Sequence, residues 1–116
     1  MGWLFGFRDG QSYVELDEHG LRFCYGTADE RVPLPEIGEV ARHTWPIEFG
    51  LGARTGPDDT VAYVGSPEGV VRVAFVRPRP MNVWGAFELP NARYAVVSLE
   101  DPTGFLDALA AVRTRA

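Results

Sequence analysis

The side chains of this sequence that could act as nucleophiles lie in segments typical of ordinary strands and turns. Nucleophilic catalysis requires a serine or cysteine beside a positioned base. The single cysteine, Cys24, falls in the middle of an alternating segment, where cysteine is usually a packing residue. Ser66 lies in the run GSPEG, one place from where a nucleophile elbow would put it, and this run is typical of a hairpin turn. The sequence therefore predicts no enzymatic nucleophile.

The histidines and paired carboxylates do not follow the spacing of a metal or nucleotide site. His19 and His43 are isolated, without a second ligand at metal-binding spacing. The acidic residues before His19 are typical of a solvated hairpin tip, and the pair at 100–101 is better explained as a helix cap. The run Gly50-Leu51-Gly52 precedes no predicted helix, so it lacks the context of a phosphate-binding loop. We expect neither a metal nor a cofactor.

Large apolar and arginine side chains are concentrated in two further segments. The first is a glycine- and proline-rich stretch at 44–59, predicted as a long loop, in which large apolar residues alternate. Such a patch either folds back onto the domain or meets a partner, because monomers rarely expose large contiguous apolar surfaces. The second is the Arg-Pro-Arg-Pro run at 77–80, which lies near a tryptophan, a combination enriched at interfaces. The predicted partner contact consists of Trp45, Ile47, Phe49, Leu51, Arg77, Arg79 and Trp84.

Length and composition bound the class of protein. The 116 residues suffice for one domain, predicted to span 1–116, and the apolar share of 46% is that of a globular chain. The net charge of −5, without a lysine, counts against nucleic acid and anionic membranes as partners. One cysteine allows no intrachain disulfide, and the apolar N-terminal run is too short for a signal peptide or a membrane span. We therefore expect a cytoplasmic protein.

The clearest element is a helix predicted at 102–114. Asp101 is a good N-cap, and Pro102 fits the first helical position because its missing N–H would have no helical partner there. Phe105, Leu109 and Val112 then recur at i, i+4 and i+7 and make one face apolar. This face must be buried, so the helix is expected to dock on a sheet or close the mouth of a barrel.

Upstream of the helix, short alternating segments separated by turns predict strands. They lie at 13–17, 21–25, 31–35, 37–43, 60–64, 70–76, 83–89 and 94–99. Residues 27–30 are predicted as a polar turn, the prolines at 77–80 are expected to end the preceding strand, and 1–11 is predicted as an apolar N-terminal extension. The pattern favours a mainly β fold, with about seven antiparallel strands in a small barrel or sandwich capped by the C-terminal helix.

Three runs carry a family resemblance: LDEHGLRF at 16–23, RVPLPEI at 31–37 and SLEDPTGF at 98–105. Together with the order of elements from Tyr13 onward, they resemble the pleckstrin-homology-like (PH-like) barrel, in particular small, uncharacterised actinobacterial proteins of this type. The resemblance implies seven strands in two near-orthogonal sheets, with the terminal helix closing one corner. It also implies an adaptor of open ligand class, since such barrels serve lipids, peptides and proteins. Lipid-binding members carry basic residues near the first hairpin, whereas Asp17-Glu18-His19 is acidic, which counts against phosphoinositide or membrane binding.

These observations predict a non-catalytic binding or scaffold module that contacts a protein partner or a second copy of itself. The alternative is a small β-barrel that holds an apolar small molecule, which would require an internal cavity of roughly 300 Å³ or more. An enzyme would instead require a cleft that joins His19 or His43 to a carboxylate of shifted pKa.

Overall fold

The computed structural model describes residues 2–8 and 11–115. Within them the chain is mainly β, with 59% of residues in strands, and it ends in one α-helix. The strands are β1 (Trp3–Gly6), β2 (Tyr13–Asp17), β3 (Gly20–Tyr25), β4 (Ala28–Pro33), β5 (Ile37–Arg42), β6 (Gly52–Gly56), β7 (Thr60–Val64), β8 (Val70–Trp84) and β9 (Phe87–Ser98). Helix α1 spans Pro102–Arg115, and short 3-10 turns lie at Leu34–Glu36 and Ile47–Phe49. The expected mainly β fold with a C-terminal helix is confirmed.

The strands form two sheets that pack as a sandwich and do not close into a barrel. The first sheet is an antiparallel meander in the order β1-β2-β3-β4, and the second has the order β5-β8-β9-β7-β6. In the second sheet β7 and β9 are parallel, while the other strand pairs are antiparallel. The described residues thus contain nine strands where the sequence predicted about seven antiparallel ones, and the arrangement is consistent with a PH-like fold.

The main core lies between the two sheets and beneath α1. Alternate residues of the strands point into it, as the period of two in their sequences predicted. Helix α1 buries Phe105, Leu109 and Val112, the predicted apolar stripe, and it contacts both β2 and β5. The predicted N-cap is also present, because Asp101 Oδ1 accepts a hydrogen bond of 2.9 Å from the Gly104 N–H. The helix therefore covers one end of the sandwich and touches both sheets.

Three strands or strand ends lie where the sequence predicted none. Trp3–Gly6, within the predicted N-terminal extension, pairs with β2, whereas residues 1, 9 and 10 of that extension lie outside the described residues. The predicted polar turn at 27–30 belongs largely to β4, and β6 occupies part of the predicted long loop. Each of these segments pairs with a neighbouring strand whose buried residues already fix the register of pairing. The segment can therefore form an edge strand even though its own sequence does not alternate strictly between apolar and polar residues.

The hairpin β8–β9 is longer than predicted. Strand β8 continues through the Arg-Pro-Arg-Pro run to Trp84, turns at Gly85, and β9 begins at Phe87, so the expected strand end at 77–80 and the separate strand at 83–89 are both wrong. The prolines are tolerated because β8 pairs with β5 only as far as Phe75, and a proline beyond that point removes no ladder bond on that side. Register shifts accompany them on the β9 side.

The distal half of β8 meets β4 through side chains and not through a backbone ladder. The N–H of Asn82 donates to Glu30 Oε1 at 3.0 Å, and the N–H of Gly85 donates to Thr27 Oγ1 at 2.7 Å. Arg79 donates to the carbonyl of Arg31 at 3.0 Å and pairs with Glu36 at 3.1 Å. These contacts link the two sheets along this seam, where β4 and β8 form no backbone ladder.

Candidate functional site

The segment between β5 and β6 folds back over the outer face of the five-stranded sheet. Its anchor is Trp45, which is only 3% exposed and forms a second apolar cluster with Ala62, Val64, Val70 and Val96. The indole Nε1 donates to the carbonyl of Gly50 at 2.8 Å, which closes the segment into a compact loop. We call residues 43–51 the Trp45 loop.

The remaining large apolar residues of the Trp45 loop stay in contact with solvent. Ile47, Phe49 and Leu51 are 62%, 42% and 37% exposed. Arg54 holds their backbone in place, since its guanidinium donates to the carbonyls of Leu51 at 3.0 Å and Phe49 at 3.3 Å. The sequence suggested one shared face for the four apolar residues, but alternation gives a common face only in an extended strand, and a 3-10 turn interrupts it here.

The other predicted contact residues take different roles. Trp84 is 57% exposed at the end of the β8–β9 hairpin, where its ring meets Phe87 edge-on at 6.2 Å. Arg77 is also exposed, whereas Arg79 is engaged at the seam with β4. Trp45 packs against the first residue of β8 and Trp84 is the last residue of that strand, so the two halves of the predicted contact lie at opposite ends of β8.

The polar side chains on the outer face of β2, β3 and β4 pair with one another. Arg22 and Asp29 form two hydrogen bonds of 2.9 and 2.8 Å, and the guanidinium lowers the pKa of the Asp29 carboxyl. Cys24 Sγ lies 3.8 Å from Asp29 Oδ1, and its hydrogen bond with Tyr13 raises the pKa of that phenol. The Asp29 carboxyl, whose pKa is shifted, is therefore hydrogen-bonded to Arg22 and Cys24 and to neither histidine.

The acidic run at the first hairpin is used by the turn itself. Asp17 Oδ1 accepts hydrogen bonds from the N–H groups of His19 at 2.8 Å and Gly20 at 3.1 Å. A shallow depression of about 470 Å³ beside this turn is lined by Glu15, Asp17, His19, Arg22 and Arg31. Its charged side chains have both signs, with two carboxylates and two arginines, so it offers no clear preference for a ligand of either charge. Within the described residues, no three metal-ligating side chains cluster.

A groove between β5 and α1 combines apolar walls with an open strand edge. It has a volume of about 410 Å³ and is lined by Val40, Arg42, Leu106, Leu109, Ala110 and Arg113. Strand β5 is the outermost strand of its sheet, with β8 on one side only. Among the described residues, the N–H and C=O groups on the other side of β5 have no neighbouring strand, so a further strand could pair with them beside the groove.

The register of β5 identifies which backbone groups point away from the sheet. The N–H of His43 donates to the carbonyl of Val70 at 3.0 Å, and Arg42 lies opposite Val71. Because hydrogen-bonded and non-hydrogen-bonded pairs alternate in an antiparallel ladder, the N–H and C=O of Arg42 and Val40 point away from β8. The carbonyl of Gly38 is already occupied, since Arg113 of α1 donates to it at 2.6 Å. The free edge therefore extends from Val40 to Arg42.

The groove was not predicted from the sequence, although part of its signal is present there. Leu106, Ala110 and Arg113 recur at i, i+4 and i+7 and form a second stripe beside the core stripe of α1. Nothing local indicates that β5 is an edge strand, because strand order is set by pairings distant in sequence. Arg42 and Arg113 make the groove locally basic in a chain of net charge −5.

Comparison with known proteins yields no match, whether to a family model, to a curated protein or to a solved structure. In the described part of the chain, no helix combines the length and the apolar composition that crossing a bilayer requires.

Proposed function

We propose that this protein is a non-catalytic binding module that takes an extended, acidic segment of a partner protein along the free edge of β5. The observation that carries the proposal is the juxtaposition of an unpaired strand edge with an apolar groove flanked by two arginines. Strand addition of this kind obtains affinity from main-chain hydrogen bonds and selectivity from side-chain pockets.

Each part of the site has a distinct role in this mechanism. The outward N–H and C=O groups of Val40 and Arg42 pair with the backbone of the incoming segment. An apolar side chain of that segment packs against Leu106 and Ala110, and Arg42 and Arg113 attract its carboxylates. Because the protein carries a net charge of −5, an acidic segment is repelled by the rest of its surface and attracted to this local basic region. The basic region therefore directs an acidic partner to the groove.

We also propose a family and a cellular location for this protein. The two-sheet sandwich with a C-terminal helix supports a relationship to PH-like adaptors, which we propose to be of the actinobacterial type that the sequence runs resemble. Cys24 is a free thiol, which is compatible with the reducing cytoplasm as the proposed location.

Within the described residues, the packing between the sheets counts against the alternative of an internal small-molecule site. The space between the sheets is occupied by fully buried side chains, the largest of which are Tyr63, Phe7, Phe23, Phe105 and Leu16. Tyr63 crosses this interior and its hydroxyl donates to the carbonyl of Asn82, while burial raises the pKa of the phenol.

Selection from a phage-displayed library of random peptides tests the proposed function. We expect enrichment of peptides with alternating apolar and acidic residues, since alternate side chains of an added strand face the groove. Arg42→Pro removes the outward N–H without breaking the β5–β8 ladder, whereas Arg42→Ala removes the charge and keeps the N–H. The proline variant should abolish binding of a selected peptide, and the alanine variant should weaken it by less.

A second pair of variants tests the groove wall. Ala110→Glu introduces a like charge for an acidic peptide, and Ala111→Glu makes the same change at the adjacent exposed helix position, which does not line the groove. Binding should be lost in the first variant and retained in the second. Two results would contradict the proposal: selected peptides that bind the Ala110→Glu and Ala111→Glu variants equally well, or selected peptides that still bind the Arg42→Pro variant.

A further inference from the structure

A small cavity lies between the Trp45 loop and the outer face of the five-stranded sheet. Its volume is about 90 Å³. A water molecule takes up about 30 Å³ in the liquid, whereas pockets for drug-sized ligands measure about 300–1,000 Å³. The cavity therefore has room for one small charged group and not for a nucleotide or a lipid.

An arginine and a histidine line this cavity. Arg72 of β8 stacks on Tyr94, with its guanidinium carbon 4.5 Å from the ring centroid. Stacking fixes the plane of a guanidinium and leaves the N–H groups at its edges free to donate. The ion pairs formed among the described residues include neither Arg72 nor His43, the histidine of the lining.

Burial and the charge of Arg72 both disfavour the charged form of His43 in the unliganded cavity. Partial burial, followed by the positive charge of Arg72, lowers the pKa of its imidazole. The other titratable groups of the lining are Asp58, from the β6–β7 turn, and Tyr94, from β9. Asp58 forms an ion pair with neither Arg72 nor His43, and its carboxylate disfavours a second negative charge in the cavity. A monoanion therefore fits these surroundings better than a dianion.

We propose that this cavity binds a carboxylate group, held by the guanidinium of Arg72 and by the protonated imidazole of His43. A guanidinium edge matches a carboxylate in a bidentate arrangement. The hydroxyl of Thr44 adds a donor to the lining, and Trp45 and Val96 provide apolar walls for the short stem that carries the carboxylate. This site lies on the outer face of the sheet, apart from the groove between β5 and α1, and it does not depend on the function proposed for that groove.

An NMR titration of the His43 ring in sodium acetate and in sodium chloride at equal ionic strength tests the proposal. A bound carboxylate favours the charged imidazole, so the pKa of His43 should be higher in acetate by about 1. Acetate should correspondingly bind about tenfold more tightly to the protonated form, and its affinity should rise as the pH falls. The wild-type protein alone is sufficient for this measurement.

Two variants provide the specificity control. Arg72→Gln should abolish the effect of acetate, whereas Arg93→Gln should leave it unchanged, because Arg93 stacks on the same Tyr94 ring at 5.7 Å without lining the cavity. If Arg72→Gln does not fold, Arg72→Lys takes its place. The lysine keeps the positive charge but cannot form the bidentate contact, so it should weaken acetate binding. An equal pKa of His43 in acetate and chloride, or an equal response of the Arg72 and Arg93 variants, would overturn the proposal.

The source of the carboxylate can be distinguished in the same experiment. A blocked peptide with a single aspartate is titrated beside acetate. Tighter binding of the peptide indicates an acidic side chain of a protein partner, and tighter or equal binding of acetate indicates a free small acid. Both results support a carboxylate site.

Discussion

Two residues of the first sheet, Asp17 and Gly20, stabilise the tight turn between β2 and β3. Asp17 caps the N–H groups of the β2–β3 turn, and Gly20 follows it with φ +148°, in the region that favours glycine. A Cβ at Gly20 would overlap the carbonyl oxygen of Val32 on the neighbouring strand. The hairpin therefore depends on a residue without a side chain at this position.

We expect Gly20→Ala to destabilise the protein by more than Gly26→Ala. Gly26 also has a positive φ, of +58°, but a Cβ there would have open space around it. The control variant should cost only the conformational penalty of about 1–2 kcal/mol, and Gly20→Ala should add the cost of displacing β4. Urea unfolding of both variants measures the difference, and equal midpoints would show that β4 yields without cost.

At the scale of elements, α1 joins the two sheets and forms one wall of the groove. Its buried stripe faces the core, and its second stripe, with Leu106 and Ala110, borders the groove. Docking of the helix therefore controls both stability and the proposed binding site.

Leu109→Ala should lower the free energy of unfolding by about 2–5 kcal/mol, the usual cost of emptying a fully packed leucine site. Leu109 is 3% exposed and belongs to the main core. Leu106→Ala, at a half-buried position of the same helix, should cost less. Denaturant titration followed by circular dichroism provides both values, and a negligible loss for Leu109→Ala would mean that the helix is not docked.

The Trp45 loop remains the surface predicted for contact with a partner or a second copy. Phe49 is held in an exposed position by the carbonyl contacts of Arg54. If the loop mediates self-association, the wild type should show a concentration-dependent sedimentation coefficient, and Phe49→Asp should remove it because the charge would be buried at the interface. Trp84→Ala, at the other end of β8, tests the hairpin tip separately. A wild type that stays monomeric at high concentration rules out the homodimer.

For the molecule as a whole, the two sheets meet along a seam between β4 and β8 that has no backbone ladder. Arg79 of β8 spans this seam by contacting Glu36, in the 3-10 turn after β4, and the carbonyl of Arg31. Because Arg79 is half-buried, its loss leaves these acceptors without their donor.

Arg79→Ala should destabilise the seam by about 1–3 kcal/mol through the loss of hydrogen bonds that a charged group donates. The N–H groups of Asn82 and Gly85, which donate to Glu30 and Thr27 across the seam, should then exchange with solvent more rapidly. Arg77→Ala, an exposed position of the same run, is the matched control and should leave both rates unchanged. Identical exchange in the two variants would show that Arg79 does not hold the seam.

The amino-acid sequence by itself determined the features that depend on neighbours close along the chain. The helix, its Asp101 cap and its buried stripe were predicted, as was the first hairpin. These follow from periodicity and capping, which act over a few residues.

Only the tertiary structure decided the strand order, the edges and the candidate sites. The free edge of β5 exists because β8 pairs on its other side, and β8 is some thirty residues later in the chain. The cavity with Arg72 and His43 likewise requires the Trp45 loop to fold over β8 and β9. Such contacts are chosen by the packing energy of the whole domain, and no local pattern of residues encodes them.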